Sequence, residues 1–206
     1  DVQVRSGAKI LAALKAFSCW SLAPLISRYL SGTCASGYHE ARLGKEQFGG
    51  EVHVFSAAFS QKEFNHILPM ADHIIFNSFS QWQKYQTQVS ASSVQCGLRI
   101  NQQHSEGSVD IYDPCAAGSR LGIPLSEFSG QDLTGITGLH FHTLCEQGLE
   151  PLRRTLAVIE EKFADYLPHM QWVNFGGGHH ISHPDYDVEG LIELIKAFSK
   201  KYHVQV

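Results

Sequence analysis

The stretch VHVFSAAFSQKEFNHILPMADHIIFNS, residues 52–78, decides the fold. It opens on an apolar run, Val52–Ala57, passes through a helical pattern over Gln61–Met70, and closes on a second apolar run, His73–Ser78. Both runs are β-branched and apolar almost throughout, which suits strands buried on both faces of a parallel sheet. The whole reads as one β-α-β unit.

The unit recurs on either side. Further apolar runs are Lys9–Phe17, Gly32–Ser36, Val94–Asn101, Ile136–Thr143 and Trp172–Gly178. Helical patterns fit Pro24–Leu30, His39–Gln47, Gln81–Gln88, Pro151–Leu167 and Val188–Tyr202. The two longest carry a one-sided apolar face: Leu152, Leu156, Ile159 and Phe163 in one, Leu191, Ile192, Ile195 and Phe198 in the other. Pro151 suits a first helical turn, and Lys200 and Lys201 suit the end of a helix dipole.

Polar or small residues end the runs at Lys15, Ser36, Ser56, Asn77 and Arg99, at intervals of 20 to 22 residues, with His142 and Gly176 following further on. One β-α unit per interval predicts an α/β fold of the (β/α)8 barrel type, with its site at the C-terminal strand ends. An open doubly wound sheet is the alternative. Seven strands are counted, and Val204–Val206 would begin the eighth. The segment Gln102–Gly118 lacks periodicity and reads as a long loop over the barrel mouth. The expectation is one barrel domain over residues 1–206, incomplete at both ends, since the chain starts at Asp1 and stops at Val206 inside an apolar alternation.

Of the 206 residues, 43% are hydrophobic and 17% charged, a globular composition that excludes a disordered tail. With 16 basic against 20 acidic side chains the net charge is −4, and no basic stripe points to nucleic acid. No apolar run approaches the ~20 residues needed to span a bilayer, and no signal peptide stands at the start. Cys19, Cys34, Cys96, Cys115 and Cys145 include no C-x-x-C pair and read as reduced thiols of a cytoplasmic protein.

Several residues are candidates for chemistry. Lys15 lies within an apolar strand pattern, where desolvation would lower its pKa and favour covalent chemistry with a carbonyl; a lysine snorkelling from a strand end is the other reading. Gly176, Gly177 and Gly178 directly follow a strand, where main-chain N–H groups approach an anion closely, or where the chain simply turns. His140 and His142 point to one face of a strand. They read either as a metal pair, with His179 or His180 and Asp113 or Asp185 as further ligands, or as a core histidine followed by one that stacks on a planar ligand. Arg99 brings an obligate positive charge to a strand end, for an anionic ligand or a salt bridge. Glu40 would orient His142 or cap its own helix.

The motifs AALKAF (12–17), ASGYHEARLG (35–44), HIIFNS (73–78), GLRIN (97–101), YDPCAAGSRLGI (112–123), GLHFHTLCE (138–146) and FGGGHHIS (175–182) resemble, in this order, the alanine-racemase-fold, pyridoxal-phosphate-dependent decarboxylases, and among these the carboxynorspermidine decarboxylases. The resemblance implies decarboxylation of carboxynorspermidine or carboxyspermidine. It implies Lys15 as the lysine that holds pyridoxal phosphate covalently and Gly176–Gly178 as the phosphate loop. It also implies His142 stacked on the cofactor ring, Arg99 near its phenolic oxygen, Glu40 behind His142, and Cys145 near the phosphate. Asp110 and Asp113 are expected contacts for the ammonium groups of a polyamine, or else solvated loop charges. The resemblance further implies a homodimer, no metal, and a Glu-Pro-Gly strand and β-domain beyond this chain, so that residues 1–206 alone are expected to be inactive. Diaminopimelate decarboxylation or racemisation, and a zinc hydrolase built on His140, His142, His179 and His180, are the rival readings.

Overall fold

A computed structural model describes every residue except Ser108, and Asp110 by its main chain alone. In chain order the elements are α1 (Val2–Ser6), β1 (Leu11–Ala13), α2 (Ala23–Ile26), β2 (Gly32–Ala35), α3 (Tyr38–Leu43), β3 (Glu51–Phe55), α4 (Gln61–Ile67), β4 (His73–Phe76), α5 (Phe79–Ser90), β5 (Gln95–Asn101), β6 (Ile123–Pro124), β7 (Ile136–His140), α6 (Leu149–Lys162), β8 (Trp172–Asn174) and α7 (Val188–Tyr202). The strand order is β1-β2-β3-β4-β5-β7-β8, with β6 paired to β5. Every described pair is parallel. The order runs on without the reversal that marks a doubly wound sheet, so the topology is the barrel-type alternative.

The chain divides into two compact units. The first, Lys9–Leu98 with Leu133–Ile136, holds β1 to β4, the first half of β5, and α2 to α5. Its strands pair in register Leu11↔Gly32↔Glu51 and His53↔His73↔Gln95. Helices start here on serine caps: Ser60 Oγ accepts the Glu63 N–H, and Ser78 Oγ accepts that of Gln81. The core gathers Phe59, Phe64, Phe76, Trp82 and Tyr85. Tyr85 stacks on Phe64 with centroids 3.9 Å apart, and its hydroxyl is satisfied by the Phe59 carbonyl at 2.7 Å.

The second unit, Asp1–Ala8, Arg99–Asp132 and Thr137–Val206, holds the end of β5, then β6 to β8, α6, α7 and α1. Leu152, Leu156 and Ile159 of α6 and Ile192 and Phe198 of α7 are buried with Leu139, Phe141, Val173 and Phe175. α7 occupies the residues its periodicity predicts. Asp187 caps its start through the Gly190 N–H at 2.8 Å, and left-handed His203 stops it. Val204–Val206 add a parallel bridge, Trp172↔Gln205.

The predicted strand Lys9–Phe17 needs correction. β1 ends at Ala13, and the Ala16 and Phe17 N–H groups fold back to the Ala13 carbonyl. Lys15 is therefore exposed in a turn after the strand rather than buried within it. The turn sends Leu14 into a small cluster with Ala23 and Phe48. That burial outweighs continued pairing.

Candidate active site

β7 and β8 lie in register, with His140 opposite Asn174. His140 is buried, and its Nδ1 lies 3.1 Å from Asn174 Oδ1. The same oxygen accepts the Gly176 N–H at 2.8 Å. An amide oxygen only accepts, so His140 Nδ1 carries the proton. Burial, then the charges of Arg99 and His142, push this imidazole down to about 3, so it is neutral at physiological pH.

His142 stands two residues on, beyond the strand end and half-buried. Its Nδ1 accepts the Gly177 N–H at 2.8 Å, which in the neutral ring leaves the proton on Nε2. Its main-chain carbonyl accepts from Arg99 Nη2 at 3.1 Å. Arg99, near the end of β5, is 5% exposed. Burial lowers its guanidinium to about 10, still charged at neutral pH.

Two of the three glycines are required by packing. Gly176 (φ +74) and Gly178 (φ +90) occupy the left-handed region. A Cβ would come within 2.4 Å of the Phe141 carbonyl oxygen at the first, and within 1.9 Å of that of Leu144 at the second. At Gly177 a Cβ would meet only the His142 ring, at 3.6 Å. The main-chain amides along this run differ in what they bond. The Gly176 and Gly177 amides are taken by Asn174 and His142, whereas the Gly178 and His179 amides have no acceptor among the described residues. Successive amides beside a left-handed glycine form an anion cradle. The main chain of exposed Cys145 lies against Gly178.

Asp113 Oδ1 accepts the Cys115 N–H at 2.7 Å, so this carboxylate caps a turn. Asp110's side chain lies outside the described residues. His179 Nδ1 lies 2.9 Å from the Tyr186 hydroxyl; burial pushes the imidazole down and the phenol up to about 12. His180 and Asp185 are exposed. His140, His142, His179 and His180 do not converge on a metal position. Among the described residues the one group that does is Glu51, His53 and His73.

Lys15 and Glu40 belong to the first unit. Both act on the Cys34 thiol of β2: burial pushes it up, Lys15 pulls it down and Glu40 pushes it up. Glu40 Oε2 accepts the Ser36 N–H at 2.7 Å, so it closes the start of its own helix. Asn174, which ties His140 to the glycine run, was not among the candidates. The signal was there, a lone amide side chain in the apolar run WVNF.

This is the fold of the alanine-racemase-type decarboxylases. A solved diaminopimelate decarboxylase from Helicobacter pylori matches with a TM-score of 0.76 at 16% identity, covering 99% of this chain and 57% of that one. Along its whole length the chain is similar to proteins named carboxynorspermidine/carboxyspermidine decarboxylase. The Campylobacter jejuni protein of that name is 45% identical over all 206 residues. A crystal structure of carboxynorspermidine decarboxylase with norspermidine, also from Campylobacter jejuni, gives a TM-score of 0.90 at 43% identity, covering 100% of this chain and 53% of that one. A carboxyaminopropylagmatine decarboxylase from Synechocystis is 39% identical over 194 residues, 94% of this chain and 50% of that protein. The chain spans about half the length of the curated relatives it matches. No protein-family model matches it.

Proposed function

We propose that this chain is the cofactor-binding part of a pyridoxal-phosphate-dependent carboxy-lyase that converts carboxynorspermidine or carboxyspermidine to norspermidine or spermidine. The observation that carries the reading is the linked set Arg99, His142, Gly177, Gly176 and Asn174 in a chain 45% identical throughout to decarboxylases of that name.

The donor set fits the cofactor. The unbonded Gly178 and His179 amides would take its phosphate, and no cationic side chain is needed there. His142, fixed in rotation by the Gly177 N–H, would offer its ring face to the pyridine. The charged Arg99 would hold the phenolic oxygen and, through the His142 carbonyl, steadies that residue. Lys15, exposed at the end of β1, would hold the cofactor covalently and exchange with the substrate amine. When bound, pyridoxal phosphate supplies an electron sink for the pair released as carbon dioxide leaves. Asp113 would face an ammonium group of the polyamine. The working enzyme is taken to be a cytoplasmic homodimer.

The Synechocystis relative motivates a second reading, a carboxylated aminopropylagmatine as substrate. The test offers the full-length protein carboxynorspermidine, carboxyspermidine, carboxyaminopropylagmatine and diaminopimelate, and follows carbon dioxide and amine product with and without pyridoxal phosphate. Cofactor-dependent turnover of the first two over the others supports the proposal. Turnover of diaminopimelate alone, or of none, overturns it.

A further inference from the structure

We propose that Glu51, His53 and His73 form a binding site for a divalent transition-metal ion of the zinc type, at the N-terminal ends of β3 and β4. These are the strand ends opposite those at which the proposed chemistry sits.

Backbone geometry assembles the three donors. Glu51 opens β3, and His53, two residues on, shares its face of the strand. His73 opens β4 and is the register partner of His53. The two imidazoles stack with centroids 3.9 Å apart and planes 19° from parallel. His53 Nε2 lies 2.9 Å from Glu51 Oε2. One ligand atom from each residue lies within 4.8 Å of the others. Tetrahedral zinc, with bonds of about 2.0–2.2 Å, wants neighbouring donors roughly 3.4 Å apart. The gap of about 1.4 Å is within a small tilt of the side chains.

The Lys9 ammonium pairs with the other Glu51 oxygen and would compete with an ion for that carboxylate. Two further observations fit a cation. Both histidines are 7% exposed, whereas the Glu51 side chain is 28% exposed, leaving an entry path and room for a water as fourth ligand. His53 Nδ1 is buried with no hydrogen-bond partner among the described residues, so a half-turn of that ring would present an uncommitted nitrogen. Two imidazoles and one carboxylate favour zinc, cobalt, nickel or copper over magnesium or calcium. An ion here would clip β3 to β4 and add to stability by mass action.

The test titrates chelator-stripped full-length protein with Co2+ and reads the visible ligand-field bands of the bound ion, then displaces it with Zn2+. One ion per chain is expected. Glu51→Gln and His53→Leu should each weaken binding by more than about a hundredfold, since even groups that merely orient a ligand cost about 10–100-fold. Lys9→Met should tighten it by removing the competing ammonium. Metal-free thermal unfolding shows that each variant folds, and Glu51→Gln, at the less buried ligand, serves if His53→Leu does not. No stoichiometric binding to wild type, or binding unchanged in Glu51→Gln, overturns the proposal; the latter would move the ion to exposed histidines such as His180 and His183.

Discussion

Substituting alanine at Gly178 and at Gly177 separates packing from ligand approach. At Gly178 the new Cβ must occupy a left-handed φ, at about 1–2 kcal/mol, and would stand 1.9 Å from the Leu144 carbonyl oxygen. Relieving that overlap in place costs about 1–3 kcal/mol more. The loop can instead lift away. It would then lose the hydrogen bonds from the Gln147 N–H to the Gly178 carbonyl and from the His180 N–H to the Gln147 carbonyl, both 3.0 Å, at about 0.5–1.5 kcal/mol each. The cheaper route sets the result, so Gly178→Ala should destabilise by about 1–3 kcal/mol and scatter the two unbonded amides. At Gly177, φ is outside the left-handed region and the Cβ would make one ordinary contact with His142. Gly177→Ala should be neutral or gain about 0.4–1 kcal/mol from a stiffer unfolded chain. Thermal unfolding of the full-length apo-protein measures both, and absorbance titration with pyridoxal phosphate measures the site. Gly178→Ala should weaken cofactor binding along with stability. Gly177→Ala should weaken cofactor binding alone if Gly177 lies against the ligand. Equal destabilisation by the two, or a neutral Gly178→Ala, would refute the packing argument.

Borohydride reduction of the cofactor-loaded protein should place the pyridoxyl adduct on Lys15. Lys15→Ala should abolish turnover while shifting stability by less than about 0.5 kcal/mol, as for an exposed turn; an adduct on Lys9, Lys45 or Lys84 would move the site. His142→Phe keeps a ring but strands the Gly177 N–H, so cofactor affinity should fall with an apo-stability loss of about 1–3 kcal/mol, and unchanged affinity would remove His142 from the site. Arg99→Met should cut cofactor affinity and turnover together; loss of stability alone would make Arg99 structural. Acid should destabilise the fold early. The unfolded chain protonates His73 and His140 near pH 6.5 and the folded chain only near 4 and 3. Their contribution is therefore complete above about pH 6.5 and drains as pH falls toward 4. Melting temperature followed from pH 7.5 to 4.5 should fall and flatten in His73→Leu, and a rise on acidification would contradict the shifts.

The topology was readable because strand ends recur every 20 to 22 residues from Lys15 to Arg99, with a helical pattern between successive strands. α7 matched residue for residue since pattern, cap and terminal lysines all agree on its limits. β1 was overextended because Leu14–Phe17 continues the apolar run, and only the tertiary destination of Leu14 shows where the chain turns. β6 carries two residues, one of them Pro124, too few for any periodicity. The residues around β7 and β8 were legible as types, but their division of labour was not. Which glycines pack and which amides stay unbonded depends on how the loop lies on Phe141–Cys145. Glu51, His53 and His73 escaped for the same reason, since strand register, not spacing, brings His73 beside His53.

The shared Asn174 oxygen bears on how this pocket can be redesigned. A library that randomises position 140 alone leaves that oxygen with one donor, a modest loss. One that randomises position 174 alone removes the side-chain acceptor from an imidazole N–H and a glycine N–H together, the larger loss. Viable single variants should therefore be commoner at 140 than at 174.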